Sequence, residues 1–175
     1  MEHHKHIILV GNPGSGKSTA ARFIHPSVDI DDVIQKKLSI PLHKIVKTLG
    51  SDEFIEFENK TLCETITGLS QPTVVATGGS VVHHPGFLTL CKDHVVVWLY
   101  ADILTIMRRI GNCLETRGIT CPSEMSHLSV SELLRVREQM YRRCSNKKIN
   151  STENVFKVVD QIKALLCDVE RGYGK

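Results

Sequence analysis

The chain has 175 residues, of which 41% are hydrophobic and 23% charged, and its formal net charge is +3. This size and composition predict one globular domain over residues 1–175. A small charge without a Lys/Arg-rich tract argues against nucleic acid as a partner, and no apolar run approaches the roughly 18 residues of a membrane span. The six cysteines include no C-x-x-C pair, which argues against a zinc ribbon or a thioredoxin-type site. No signal peptide is recognisable at the start, so we expect a cytoplasmic protein with reduced thiols.

In the first half of the chain, short apolar runs that end in glycine or acidic residues predict buried strands. These strands are expected at 7–10, 28–31 and 73–77. Amphipathic or capped segments predict the helices between them. They are expected at 17–24, over 33–49 in two pieces broken at Pro41, and at 52–69.

In the second half, Pro85 is expected to begin a helix with His84 near its cap. Residues 110–128 carry Gly, Pro, Ser and Thr without an apolar period and predict a mobile loop. The remaining elements are strands at 95–100 and, weakly and at an edge, at 147–150, and helices at 102–109, 131–144 and 155–169. Strands that alternate with helices predict an α/β fold, with a parallel sheet covered on both faces.

A phosphate-binding loop is the strongest single signal. The pattern G-x-x-x-x-G-K-[ST] is met from Gly11 to Ser18, between a predicted strand and a predicted helix. Glycines let successive backbone N–H groups turn toward phosphate oxygens, and the helix N-terminus adds partial positive charge. Lys17 is expected to reach the β- and γ-phosphates, and the Ser18 hydroxyl to ligate Mg²⁺. Asn146-Lys147-Lys148-Ile149 lacks the acid of the N-K-x-D motif, which argues against a GTPase.

Three further motifs point to one enzyme family. They are the acids Asp29-Ile30-Asp31 after the second predicted strand, Ala76-Thr77-Gly78-Gly79 after the third, and R-E-Q-M-Y from Arg137 to Tyr141. From residue 5 to about 168 the chain resembles the shikimate kinase family, whose motifs are D-x-D, A-T-G-G-G and R-N-P-L-Y beside G-x-x-G-x-G-K-S-T. The resemblance implies a three-layer P-loop kinase fold with a five-stranded parallel sheet. It also implies a substrate-binding segment at about 32–69, a lid at about 110–128, and a monomer.

The resemblance implies ATP-dependent phosphorylation of a small-molecule alcohol, with shikimate as the favoured acceptor and shikimate 3-phosphate, an aromatic amino acid precursor, as the product. On the nucleotide side it implies Arg117 as a lid residue that closes over the phosphates, and Asp29 as a ligand of Mg²⁺ through water beside Ser18. The nucleotide-binding residues that it implies are Gly11, Gly14, Ser15, Gly16, Lys17, Ser18, Thr19 and Arg117.

On the acceptor side, the resemblance implies that Asp31 binds the reacting hydroxyl and acts as its base, and that Arg137 pairs with a carboxylate. The acceptor-contacting residues that it implies are Asp31, Glu58, Gly78, Gly79 and Arg137, and the catalytic ones are Lys17, Asp31 and Arg117. This chemistry agrees with phosphoryl transfer as positioning plus neutralisation of charge.

The acceptor side departs from the family at two positions. Ile55 stands where the family's F-R-x-x-E stretch has an arginine, and Ser80 replaces the third glycine of A-T-G-G-G. Loss of one charge-assisted contact costs about 1.5–3 kcal/mol, which is roughly ten- to a hundredfold in binding. Compensation by Lys44, Lys47 or Lys60 stays open. So do a related kinase with another acceptor (a polyol, a sugar acid or a nucleotide) and a non-catalytic nucleotide-binding module.

Overall fold

The computed structural model describes residues 5–111, 119–152 and 154–172. Five parallel strands form one sheet in the order β2-β3-β1-β4-β5. The strands are β1 (Ile7–Val10), β2 (Ser27–Asp29), β3 (Val74–Ala76), β4 (Val95–Tyr100) and β5 (Lys147–Asn150). The predicted α/β fold and the edge position of β5 are therefore confirmed.

Helices cover both faces of the sheet because alternate strand residues point to opposite sides. Ile7 and Leu9 pack with α1 and α8 on one face, whereas Ile8 and Val10 pack with helices α2 to α5 and α7 on the other. The helices are α1 (Lys17–Ala21), α2 (Ile30–Leu38), α3 (Leu42–Leu49), α4 (Ser51–Thr67), α5 (Pro85–Leu90), α6 (Ile103–Ile110), α7 (Val130–Cys144) and α8 (Val155–Glu170). Short 3₁₀ turns lie at Val81–His83 and Ser123–Met125. The three-layer arrangement is the predicted one.

The boundary between β2 and α2 differs from the prediction. The sequence placed Asp31 at the end of a strand, but the strand ends at Asp29 and Asp31 lies in the first turn of α2. The Asp29 carboxylate accepts a hydrogen bond from the Asp31 backbone N–H at 3.0 Å and so caps the helix. This early cap explains why the strand is shorter than predicted. The break at Pro41 is confirmed, because Pro41 directly precedes α3.

The far end of the predicted mobile loop is attached to the start of α4. The backbone N–H of Cys121 donates to the Ser51 hydroxyl at 3.3 Å, and that of Ser123 donates to the Asp52 carboxylate at 3.0 Å. The predicted lid residue Arg117 lies outside the described residues. Within the described ranges, no helix is long and apolar enough to cross a bilayer.

Candidate active site

The phosphate-binding loop connects β1 to α1, and its backbone has positive φ at Gly11, Gly14 and Gly16. Gly11 has φ +149°, and a side chain there would place its Cβ 2.5 Å from the carbonyl oxygen of Leu99. Gly16 has φ +93° and directly precedes the first residue of α1. Other residue types strain in this region of backbone space, so the glycine pattern read from the sequence reflects the loop's geometry.

Lys17 directly follows this loop as the first residue of α1 and is only 7% exposed. Its Nζ donates to the carbonyl oxygens of Gly11 at 2.7 Å and of Asn12 at 3.1 Å. Burial lowers the pKa of Lys17 to about 8, although the nearby Asp31 and Asp29 act in the opposite direction. The side chain is therefore mostly a cation at neutral pH, held where the loop bends around a cleft.

This cleft lies at the carboxyl ends of the neighbouring strands β2, β3 and β1, where ligands bind in open α/β sheets. It has a volume of about 230 Å³. The structure brings most of the sequence-predicted site residues into its wall, namely Gly14, Gly16, Lys17, Ser18, Thr19, Asp31, Glu58, Gly78, Gly79 and Arg137. Gly11 and Ser15 lie in the loop behind this wall, and Ser15 is 1% exposed.

The predicted magnesium residues lie together in an adjoining cleft of about 180 Å³. Ser18 and Asp29 line it, with Asp31 and Asp32 beside them. Among the described residues there is no group of three or more His, Cys, Asp or Glu side chains suited to a metal. Mg²⁺ does not require one, because it takes one or two carboxylates together with water and substrate phosphates. The oxygen-only donor set therefore fits Mg²⁺.

Arg137, on α7, is a cation of the same cleft and is only 1% exposed. Its Nε donates to Nε2 of His83 at 3.0 Å, and one of its Nη atoms donates to the carbonyl oxygen of Thr120. One turn further along the helix, the Tyr141 hydroxyl donates to the carbonyl oxygen of Gly79 at 2.7 Å. These contacts orient the guanidinium and the Gly79 backbone toward the same cleft.

A family model described as shikimate kinase matches residues 13–167. The chain belongs to the shikimate kinase family. The shikimate kinase of Thioalkalivibrio sulfidiphilus is 30% identical over 169 residues, which cover 93% of this chain and 87% of that enzyme. Threonine synthase-like 1 of Pongo abelii is 27% identical over 151 residues, 83% of this chain, and these cover only 20% of that protein's length. A solved shikimate kinase of Acinetobacter baumannii, in complex with shikimate, shares the fold with a TM-score of 0.77 at 22% identity, with 95% of each chain covered.

Ile55 and Ser80, the two residues that depart from the shikimate kinase motifs, have different surroundings in the structure. Ile55 is 6% exposed and packs inside the protein, whereas its neighbour Phe54 lines the cleft. Ser80, in contrast, contributes to the cleft wall, and its hydroxyl donates to Oε2 of Glu58 at 2.7 Å. The serine that replaces the third family glycine therefore binds a glutamate that the family motif retains.

The cations of the cleft do not include the lysines considered from sequence. Lys44, Lys47 and Lys60 are all exposed, and among the described residues the cleft is lined by the cations Lys17, Arg109 and Arg137. Compensation for Ile55 by those three lysines is not supported by their positions.

Two residues that contact predicted site residues were not themselves predicted as part of the site. Arg109, at the end of α6, donates to the carbonyl oxygen of Gly14 at 3.0 Å and to that of Ser151 at 3.2 Å. No signal in the sequence separates it from its neighbour Arg108. His83 is not among the predicted site residues, yet it accepts the hydrogen bond of Arg137. Burial and the adjacent guanidinium lower the pKa of His83 to about 4, which keeps the imidazole neutral and able to accept.

Proposed function

We propose that the protein transfers the γ-phosphoryl group of ATP to a hydroxyl of shikimate and forms shikimate 3-phosphate. The observation that carries this proposal is one cleft in which the phosphate-binding loop with Lys17 lies beside Asp31 and Arg137. A phosphate cradle, a carboxylate for the attacking alcohol and a buried cation for an anionic acceptor are the parts that this reaction needs.

On the donor side, the N–H groups of the loop and the Lys17 ammonium would neutralise the phosphates, and Arg117 would close over them. Ser18 and Asp29 would hold Mg²⁺, which supplies further charge neutralisation at the phosphate oxygens when bound. The location of Ser18 and Asp29 in one cleft next to the loop supports this assignment.

On the acceptor side, Asp31 would accept the proton of the attacking hydroxyl, and Arg137 would pair with the acceptor's carboxylate. We further propose that residues 32–69 form the substrate-binding segment and residues 110–128 the lid, within one domain over residues 1–175. The first assignment is supported by Leu42, Val46, Phe54 and Glu58, which helices α3 and α4 contribute to the cleft wall. A monomeric state and a cytoplasmic location are proposed from the family alone.

A coupled ADP-release assay with ATP and Mg²⁺ tests the acceptor directly. The panel comprises shikimate, quinate, gluconate and nucleoside monophosphates, and we expect turnover with shikimate. Turnover with another alcohol but not with shikimate would replace the acceptor and keep the kinase. ATP binding without turnover on any member would favour the non-catalytic nucleotide-binding module.

Substitution of the proposed base tests the mechanism. Asp31→Asn should lower kcat by orders of magnitude while ATP binding persists, because the amide cannot take a proton from the hydroxyl. Asp160→Asn, at an exposed position on α8, removes the same charge far from the cleft and is the matched control. Unchanged turnover in Asp31→Asn would contradict the assignment of Asp31.

A further inference from the structure

Glu58 is a completely buried acid in the wall of the cleft. It lies on α4 with 0% of its surface exposed. Its Oε2 accepts the hydrogen bond of the Ser80 hydroxyl at 2.7 Å. Its Oε1 has no hydrogen-bond partner among the described residues. A buried polar atom without a partner is costly, and at the wall of a binding cleft a bound ligand can supply the partner.

The unpartnered oxygen faces a second carboxyl group across a glycine. A Cβ built on Gly78 would lie 1.9 Å from Oε1 of Glu58 and 3.1 Å from Oδ1 of Asp31. The two oxygens therefore approach one point above the Gly78 backbone, which only glycine leaves open. Two carboxylates this close in a buried site resist simultaneous ionisation.

The cations near Glu58 donate their hydrogen bonds to other groups. The Lys17 ammonium contacts the loop carbonyl oxygens, and the Arg137 guanidinium contacts His83 and Thr120. Among the described residues, no ion pair includes Glu58. Burial and then the charge of Asp31 raise the pKa of Glu58 to about 8, against the smaller opposing effects of Ser80, Arg137 and Lys17.

The other elements packed on α4 do not change the balance between the effects that raise and lower the pKa of Glu58. Helix α3 contributes the apolar side chains of Leu42 and Val46 to the cleft, and α5 contains no titratable residue. The 3₁₀ turn after β3 carries His83, whose pKa is lowered to about 4, so that it is neutral at neutral pH. The charged groups that act on Glu58 are thus Asp31 from α2, Lys17 from α1 and Arg137 from α7.

We propose that Glu58 is a protonated carboxyl group at neutral pH and donates a hydrogen bond from Oε1 to an oxygen of the bound acceptor. Because the Ser80 hydroxyl donates to Oε2, the carboxyl proton belongs on Oε1, the oxygen without a partner. This proposal rests on the proposed function for the identity of the acceptor. It makes Glu58 a specificity residue: the neutral group accommodates an anionic acceptor held by Arg137, whereas a second carboxylate beside Asp31 would repel it.

The protonation state is tested without any activity. The side-chain carboxyl carbons of glutamate are followed by ¹³C NMR against pH, and the Glu58 resonance is the one missing from Glu58→Gln. We expect it to remain at its protonated shift at pH 7 and to titrate near pH 8. A midpoint near the ordinary glutamate value of about 4.3 would overturn the proposal, even in an active kinase. If Glu58→Gln does not fold, Ser80→Ala is the second variant. Loss of the Ser80 hydroxyl should raise the titration midpoint of Glu58 further. A lowered midpoint would overturn the proposal.

The role in acceptor binding is tested by calorimetry with shikimate at pH 7 and pH 9. We expect the affinity of the unsubstituted protein to fall about tenfold between these values, because about nine tenths of Glu58 ionises at one unit above its midpoint. Glu58→Gln cannot ionise and should show a clearly smaller fall over the same range, and the fall that remains belongs to Lys17, whose pKa of about 8 also lies in it. Glu53→Gln, at an exposed position on the same helix, should keep the full pH dependence. An equal pH dependence of shikimate affinity in Glu58→Gln would refute the role of Glu58 in binding. If the NMR midpoint of Glu58 is near 8 but shikimate does not bind at pH 7 or pH 9, the result would instead count against shikimate as the acceptor.

Discussion

The hydrogen bond between Arg137 and His83 offers the sharpest test of how this site is built. Arg137 is 1% exposed, and its Nε donates to the imidazole Nε2 at 3.0 Å. His83→Ala removes that acceptor and leaves a buried guanidinium N–H without a partner. The guanidinium can then rotate away from the orientation proposed to face the acceptor, because among the described residues the contact to Thr120 is the other hydrogen bond that holds it.

The size of the effect follows from the charge and burial of the donor. A hydrogen bond to a charged group contributes about 1.5–3 kcal/mol, and its loss at a buried site is not offset by water. Since about 1.4 kcal/mol corresponds to a tenfold change in an equilibrium constant, the KM for shikimate should rise about tenfold to a hundredfold. The KM for ATP should stay within about twofold, because His83 is not among the residues of the phosphate-binding loop.

The assay is steady-state kinetics with each substrate varied in turn, with His84→Ala as the matched control. His84 lies next in the chain, but its imidazole accepts from the Gly86 backbone N–H at 3.0 Å and caps α5. Its loss should cost about 0.5–2 kcal/mol of stability and leave the shikimate KM near its original value. Equal rises in shikimate KM for both variants, or a rise confined to ATP, would refute the reasoning.

Three further predictions concern the loop, the glycine and the pH dependence. Lys17→Met should lower kcat by about a hundredfold or more and remove the thermal stabilisation given by ATP; retained turnover would contradict the role of Lys17. Gly78→Ala places a Cβ 1.9 Å from Oε1 of Glu58 and should lower the free energy of unfolding, measured with urea, by about 1–3 kcal/mol. The control Gly68→Ala meets ordinary contacts at 3.5 Å and should change this free energy by less than about 0.5 kcal/mol. The pKa of Glu58 is raised from 4.5 in the unfolded chain to about 8 in the folded protein. The stability that this acid contributes is therefore present below pH 4.5 and is lost as the pH rises to about 8, so the urea midpoint should fall over that range. Glu58→Gln should flatten that fall. An equally steep fall in Glu58→Gln would assign it to other groups.

The elements that the sequence predicted well are those whose information lies in neighbouring residues. The strand at Ile7–Val10 and the loop that follows it are written in one contiguous segment, since an apolar run, glycines and Lys17 follow each other directly. The break at Pro41 is equally local, because the proline ring disfavours the helical conformation of the preceding residue and removes an N–H. The end of β2 was misjudged because the competing signal, a helix cap by Asp29, looks the same in sequence as an acidic strand end.

The proposed acceptor half of the site is different, because its contacts join residues that are far apart in the chain. Ser80 meets Glu58 across 22 residues, Arg137 meets His83 across 54, and Arg109 meets Gly14 across 95. Such contacts depend on the order of the strands and on how α4, α6 and α7 pack over the sheet, which no local pattern encodes.

The sequence by itself therefore determined the α/β fold and the phosphate-binding loop that forms the proposed donor half of the site. Only the tertiary structure decided that Ser80 binds Glu58, because it packs α4 against the turn that follows β3. It also decided the charge of that acid, since burial and the neighbouring Asp31, rather than residue type, set its pKa.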